Sequence, residues 1–411
     1  MKKALLVVLI LCVLVSSLTM AKTLKIWIGG QVAELDQTWD DIISKYEKES
    51  GNEVEVQLFG FDVYYDKLLA ALEAGFGPDL AFADLGGWVP TFAAKDWLVN
   101  LDSQIENWDG TDQIWPNLWP TVAYEGSLYG LPWYTDCRLL LYNKTMLKDA
   151  GFDNPPETWE EFCYVADKIT DSSKRTYGYG VSGTKSEVTT LGYMMFLYAA
   201  GGELLTEDYS EPAFNTPEGL RALKFYTDLA KKWEVSPNAL SYGEDDYRNM
   251  MAQGRVAMSV GGPWSFALIE QANPAIKGNY SVALHPYGAV PASVLGGWAL
   301  VIPKSSENPE EAWGLAEYLT SYDTWMTWIE ANGSPMPVRM DVCADAPTFD
   351  DEKWQVIFDT FPFAVCRPPI PVYPQVSEEI QMMVQNVLMD KMTPEEAIAV
   401  ADTNVREILG K

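Results

Sequence analysis

Hydrophobic and polar positions alternate along the first part of the chain in a way that predicts strands separated by helices. Leu24, Ile26 and Ile28 alternate with Lys25 and Trp27, the two-residue period of a strand, and Gly29-Gly30 ends it. Trp39, Ile42, Ile43 and Tyr46 then recur at helical spacing. Val54, Val56 and Leu58 alternate again, Tyr64 to Ala74 reads as a second helix, and Leu80 to Ala83 as a short strand ending at Asp84. Strand, helix, strand, helix, strand at this spacing predicts a mostly parallel sheet with helices on both faces.

Later helices are predicted from their starts. Thr158-Trp159-Glu160-Glu161 and Thr393-Pro394-Glu395-Glu396 have the spacing of capping boxes, and Asn308-Pro309-Glu310-Glu311 puts proline at a first helical position. Ser377 is expected to cap a helix carrying Ile380, Met383, Val384, Val387 and Leu388. No internal repeat and no low-complexity linker interrupts the chain. Two α/β lobes without a flexible linker imply more than one crossing between them. The Gly- and Pro-punctuated stretches at Leu131-Pro132, near Tyr280, and at Asn332-Gly333-Ser334-Pro335 are the expected crossings.

The amino terminus changes the picture of where the protein works. Met1-Lys2-Lys3 is followed by an apolar run from Ala4 to Val15 and by small residues up to Ala21, the pattern of a secretory signal peptide over residues 1–21. The run is shorter than the roughly 20 residues of a membrane span. No later segment is apolar for long enough to span a bilayer, so a soluble exported protein is expected, at the periplasmic or extracellular face of the cytoplasmic membrane. Removing 21 of the 411 residues leaves 390, more than one hydrophobic core ordinarily serves. Net charge is −29, or about −31 without Lys2 and Lys3. A surface of that sign repels phosphate backbones and anionic headgroups, which excludes nucleic acid as a partner.

Cysteine and histidine inform by scarcity. Cys137, Cys163, Cys343 and Cys366 remain after the leader, with no CxxC pair, and His285 is the single histidine. A thiolate zinc site and a histidine-based triad therefore have little to rest on, and neither metal nor cofactor is expected. An exported compartment permits disulfides, and four cysteines allow three pairings.

The chain holds 16 Trp, 21 Tyr and 15 Phe. Most such rings pack in cores. Those beside glycine, proline and a charge at strand ends are better binding candidates, since open α/β sheets bind ligands beyond their strand ends. Four segments qualify: Asp84-Leu85-Gly86-Gly87-Trp88; Pro132-Trp133-Tyr134-Thr135-Asp136-Cys137-Arg138; Gly261-Gly262-Pro263-Trp264; and Gly296-Gly297-Trp298. Rings suit the apolar C–H faces of a sugar, and carboxylates with arginine suit its hydroxyls.

These segments carry a resemblance. Together with Gly77-Pro78-Asp79-Leu80, Gly126-Ser127-Leu128-Tyr129-Gly130, Tyr142-Asn143-Lys144, Pro155-Pro156-Glu157-Thr158-Trp159, Phe214-Asn215-Thr216-Pro217-Glu218-Gly219 and Arg367-Pro368-Pro369, the chain resembles the family-1 extracellular solute-binding proteins of carbohydrate ABC importers, the trehalose/maltose-binding group especially. The resemblance implies a two-lobe periplasmic-binding-protein type II fold, maltose-binding-protein-like, with three hinge crossings. The lobes are expected at 22–130 plus 281–331 and at 132–279 plus 335–411. It implies that a neutral sugar, a di- or short oligosaccharide, is trapped by hinge closure and delivered to membrane permease subunits by a monomeric, non-enzymatic protein. It implies sugar contacts at Glu34, Asp84, Tyr134, Asp136, Arg138, Trp264, Gly297, Trp298 and Arg367; Arg138 fits a subgroup with Thr-Asp-Thr-Arg here, of which Cys137 replaces the second threonine. The alternatives are the same fold holding a phosphorylated polyol, a polyamine or iron, and a secreted glycoside hydrolase with paired carboxylates.

Overall fold

The computed structural model describes residues 21–30, 36–333 and 335–410. All but the last residue of the expected signal peptide lies outside this range. Among the described residues twelve strands form: β1 (Thr23–Gly29), β2 (Glu53–Phe59), β3 (Leu80–Asp84), β4 (Ala123–Tyr124), β5 (Ser127–Leu128), β6 (Leu131–Cys137), β7 (Leu139–Asn143), β8 (Tyr177–Gly180), β9 (Val256–Gly261), β10 (Tyr280–Ala283), β11 (Ser293–Val301) and β12 (Ala364–Cys366). One sheet has the order β12-β11-β3-β1-β2, with β6 also paired to β11; a second has the order β10-β7-β9-β8; β4 and β5 make a hairpin.

The opening alternation folds as its period requires. Leu24, Ile26 and Ile28 of β1 are fully buried, and β1 runs parallel to both β2 and β3. The helices Asp36–Ser50 and Phe61–Glu73 connect these strands, and Trp39, Ile42, Ile43 and Tyr46 face inward. Strand β11 is antiparallel to β3 and to β6, so the sheet is mixed. Both predicted capping boxes form, at Thr158/Glu161 and Thr393/Glu396.

Two large buried clusters form the core, and the first also takes in Leu139, Leu141, Tyr280 and Val282 of the second sheet. The first gathers a tryptophan cluster: Trp133 stacks near Trp39 at 5.4 Å and near Trp325 at 4.8 Å between ring centres. The second is built on the helices Glu187–Ala199, Pro217–Lys231, Tyr373–Leu388 and Pro394–Ile408. His285 is enclosed beside it, among Phe162, Tyr179 and Phe196, where burial lowers its proton affinity to about 4 and keeps it neutral. The four cysteines are free thiols.

Among the described residues the chain passes between the sheets near one of the expected places, just after Tyr280, and elsewhere than at Leu131-Pro132. Leu131-Pro132 is no crossing: β6 stays in the first sheet through Cys137, and the change comes at Arg138, before β7 of the second sheet. Proline is tolerated inside β6 because the register with β11 is irregular beside it, so the missing N–H breaks no regular ladder. The second crossing lies between β10 and β11. The last passage to the second core follows β12, at Arg367; before it, residues 336–361 pack on a cluster that also holds Phe266, Tyr280 and Val282. Gly333 marks a helix end instead: its φ of 65° and its N–H bond to the Ile329 carbonyl close the helix Tyr322–Asn332. Ser377 is likewise no cap. It lies one turn inside its helix, which starts at Tyr373-Pro374, and its hydroxyl is used across the interior.

Candidate functional site

Beyond the carboxyl end of β3, the two lobes face each other across a cavity of about 610 Å³. Tyr65, Asp84 and Trp88 line it from the first lobe, and Glu187, Glu244 and Tyr373 from the second, with Arg367 between them. Volume and mixed polar and aromatic lining are those of a small-molecule site.

Arg367 is the hub. The residue is 3% exposed. Its Nη2 donates to Asp84 Oδ1 at 2.6 Å, and its Nη1 donates to Glu187 Oε1 at 3.1 Å. Asp84 ends β3 of the first sheet; Glu187 opens a helix of the second core. One guanidinium thus joins carboxylates from both lobes. Asp84 Oδ1 also accepts the Gly86 N–H at 2.6 Å, so it organises the strand-end turn rather than capping the helix Trp88–Ala94. Glu187 accepts the Tyr373 hydroxyl at 2.6 Å and the Ser377 hydroxyl. The guanidinium lies so close over Gly86 that a Cβ there would meet it at 2.0 Å. Paired to two carboxylates, Arg367 holds its proton more tightly than usual despite its burial.

A second group adjoins the first. Arg138 donates from Nη1 to Glu244 Oε2 at 2.6 Å and lies 5.1 Å over the Trp264 ring. Trp264 Nε1 donates to the other oxygen of Glu244 at 2.8 Å. Asp136 sits among these groups, 5% exposed. Burial pushes its carboxyl up to about 7; Arg138 and Arg367 pull it down, while Asp84 and Glu244 push it up. Among the described residues three buried atoms here have no hydrogen-bond partner: Asp136 Oδ1, Arg138 Nε and Arg367 Nε.

The residues singled out in the sequence therefore separate. Asp84 and Arg367 line the cavity; Asp136, Arg138 and Trp264 gather next to its wall at Glu244. Trp298 does not stand open to the cleft as a stacking ring. It is 2% exposed and packs in the first core against Trp88 at 5.5 Å and Tyr64 at 5.9 Å, because its place in β11 opposite Asp84 and Tyr134 turns it inward. Trp264 is 5% exposed and likewise presents no open face. Tyr134 is buried beside Trp133, and burial with the nearby Asp136 and Asp84 charges keeps its hydroxyl protonated. Gly297 serves the backbone: its φ is 135°, its carbonyl accepts the Leu85 N–H, and a Cβ would meet the Tyr134 carbonyl oxygen at 2.3 Å. Gly297→Ala is accordingly expected to lower stability by about 1–3 kcal/mol, read as a shifted denaturant midpoint; an unchanged midpoint would refute the strain. Glu34 lies outside the described residues.

Glu187, Glu244, Tyr65 and Tyr373 escaped the sequence reading. The first two open helices in acidic or polar runs, Ser186-Glu187 and Glu244-Asp245-Asp246, which read as ordinary helix starts. Among the described residues no group of acidic, His and Cys side chains could hold a metal ion, and no helix is long and apolar enough to cross a membrane.

A two-lobe α/β fold with a polar cleft at the crossings defines a ligand-trapping class of protein. The family model of the bacterial extracellular solute-binding proteins matches residues 29–324, and the chain belongs to that family. It is similar to an ABC transporter solute-binding protein of Thermotoga lettingae, solved bound with α-D-tagatose, at 70% identity and a TM-score of 0.94 over 95% of this chain and all of that one. A maltose-bound protein of T. maritima is 28% identical with a TM-score of 0.85, over 95% of this chain and 99% of its own. A "Probable ABC transporter-binding protein" of Deinococcus radiodurans is 29% identical over 301 residues, 70% of each chain. The fold and the relatives are those of solute-binding proteins, not enzymes.

Proposed function

We propose that the protein captures a neutral monosaccharide of the ketohexose kind in the inter-lobe cleft and presents it, as a monomer, to the permease subunits of an ABC importer. The observation that carries this reading is the set of three buried, unpaired polar atoms. Arg138 Nε and Arg367 Nε can only donate, whereas the Asp136 carboxylate accepts. A ligand that meets them must both accept and donate, which is what adjacent hydroxyl and ring oxygens of a sugar do. An anionic ligand such as a phosphorylated polyol is disfavoured by the carboxylates of Asp66, Asp84, Glu187, Glu244 and Asp246 around the cavity. The likeness to the tagatose-bound protein favours a single sugar ring over the di- or oligosaccharide expected from the sequence.

Hinge closure at Arg138, between β10 and β11, and at Arg367 accompanies binding in this reading, because contacts come from both lobes. Export by the amino-terminal signal places the protein outside the cytoplasmic membrane. Calorimetry and thermal unfolding with D-tagatose, D-fructose and maltose test the ligand. Tagatose at 100 times its dissociation constant is expected to add about 2.7 kcal/mol of stability. Binding of maltose alone would overturn the monosaccharide reading, and conversion of any sugar to products would overturn the trap.

A further inference from the structure

We infer that Glu187 and Glu244 are positioning residues for the sugar: each holds one arginine by a terminal nitrogen and so keeps that guanidinium's Nε–H unpaired for a ligand oxygen. The inference rests on the sugar-trap reading of the cleft and gives Glu187 and Glu244 a role through the arginines they hold.

Both carboxylates are engaged on all sides. Glu187 takes Arg367 Nη1 and the Tyr373 hydroxyl on Oε1, and the Ser377 hydroxyl on Oε2. Ser377 is in turn fixed by Thr190 at 2.7 Å and Gln381 at 3.0 Å. Glu244 takes Arg138 Nη1 on one oxygen and the Trp264 indole N–H on the other. Each oxygen of both glutamates already accepts at least one bond, and each glutamate grips its arginine directly. A guanidinium is a rigid plane of five donors, and fixing terminal nitrogens fixes where Nε–H points. Arg367 is held at both ends, by Asp84 and by Glu187; Arg138 is held at one end and by the face of Trp264.

The arrangement prevents an internal collapse. Asp136 Oδ1, Arg138 Nε and Arg367 Nε are all buried and all unpaired, although Asp136 has both arginines as neighbours. Opposite charges left to themselves would turn together and satisfy one another. Glu244 and Glu187 compete for the arginines and hold them off Asp136, which keeps donors and acceptor separate until a sugar supplies the oxygens.

Glu187→Gln and Glu244→Gln test this with two readouts. Affinity for D-tagatose, by calorimetry, is expected to fall at least tenfold in each, with the folded state retained in thermal unfolding. The ligand-free readout is the protonation midpoint of Asp136, followed by carboxyl-carbon NMR. The charged groups facing Asp136 are Arg138, Arg367, Asp84 and Glu244. Removing the Glu244 charge lowers the midpoint by itself, so the variant read for positioning is Glu244→Asp, which keeps the charge and withdraws it by one methylene; there Arg138 is released toward Asp136, and the midpoint is expected to drop by a unit or more from the wild-type value. Should a glutamine variant fail to fold, Glu244→Asp or Glu187→Asp, which withdraws the carboxylate by one methylene, is expected to give the same loss of affinity. Tagatose affinity within twofold of wild type in all variants, or an unmoved Asp136 midpoint in Glu244→Asp, overturns the inference. Failure of the wild type to bind tagatose is a failure of the ligand reading, and the midpoint then decides the positioning role by itself.

Discussion

Arg367→Ala is expected to abolish sugar binding and to lower stability by about 3–5 kcal/mol. The size follows from what the substitution leaves behind. Asp84 and Glu187 keep their charges without the guanidinium that joins them, and breaking a buried ion pair by removing one partner is costly because the other charge stays desolvated. The side chains of Arg367, Asp84 and Glu187 are 3%, 7% and 18% exposed, so solvent screens little of this. Arg367→Lys is expected to recover only part of the loss. A single ammonium has no planar fork with which to meet a carboxylate from each lobe and still present a third donor. Denaturant unfolding and tagatose calorimetry on both variants check the claim. An alanine variant as stable as wild type would mean that the triad contributes nothing net, and one that binds as tightly would remove Arg367 from the site.

The loss should also appear in how the lobes are coupled. Besides Arg367, the Thr91 hydroxyl of the first lobe donates to the Pro371 carbonyl at 2.9 Å, on the segment leading into the second lobe. These few polar contacts at the third crossing are what a sugar would reinforce, since the same guanidinium has Nε left for it.

Much of this architecture could be read from local pattern, and the failures have physical causes. Periods of two and of three to four residues identify β1 and the helices Asp36–Ser50 and Phe61–Glu73, because one face of each is buried by a single sheet. Capping boxes are legible because both partners lie within four residues. Crossings are not, since they depend on which sheet a strand joins, and the partner of β6 lies more than 150 residues away in β11. Pro132 and Gly333 were genuine punctuation, one at an irregular pair and one at a helix end, but punctuation does not say which lobe follows. Trp298 shows the same limit for the site. A ring after two glycines at a strand suits either a cleft or a core, and the pairing of β11 between β3 and β6 chose the core. The charged residues singled out do come together. A buried Asp or Arg needs a partner wherever it sits, so Asp84, Asp136, Arg138 and Arg367 converge. Their partners Glu187 and Glu244 were hidden among 58 acidic residues, most of which solvate the surface.

Sugar binding is expected to strengthen as pH rises from about 6 to 8, and Asp136→Asn is expected to remove that dependence while weakening binding by about 1.5–3 kcal/mol, or ten- to a hundredfold. Burial is the first cause of the raised proton affinity of Asp136, which stands at about 7 in the free protein. Sugar hydroxyls donating to the carboxylate favour its ionised form, so binding lowers that value and releases a proton near neutrality. Each unit by which the sugar lowers it is a tenfold gain in affinity between the acid and alkaline limits. The sign for stability is opposite. A carboxyl whose proton affinity is higher folded than unfolded contributes stability that is fully present below about pH 4 and lost as pH rises through about 7. Wild type without sugar should therefore lose stability across that window relative to Asp136→Asn, which buries no charge. At pH 8 the variant is expected to be the more stable protein and the poorer binder, the pattern of a group kept for its ligand at the expense of the fold. Calorimetry with tagatose in two buffers of different ionisation enthalpy reads the proton release directly. Affinity that is flat from pH 6 to 8 in the wild type, or undiminished in the asparagine variant, would show that the sugar does not reach Asp136.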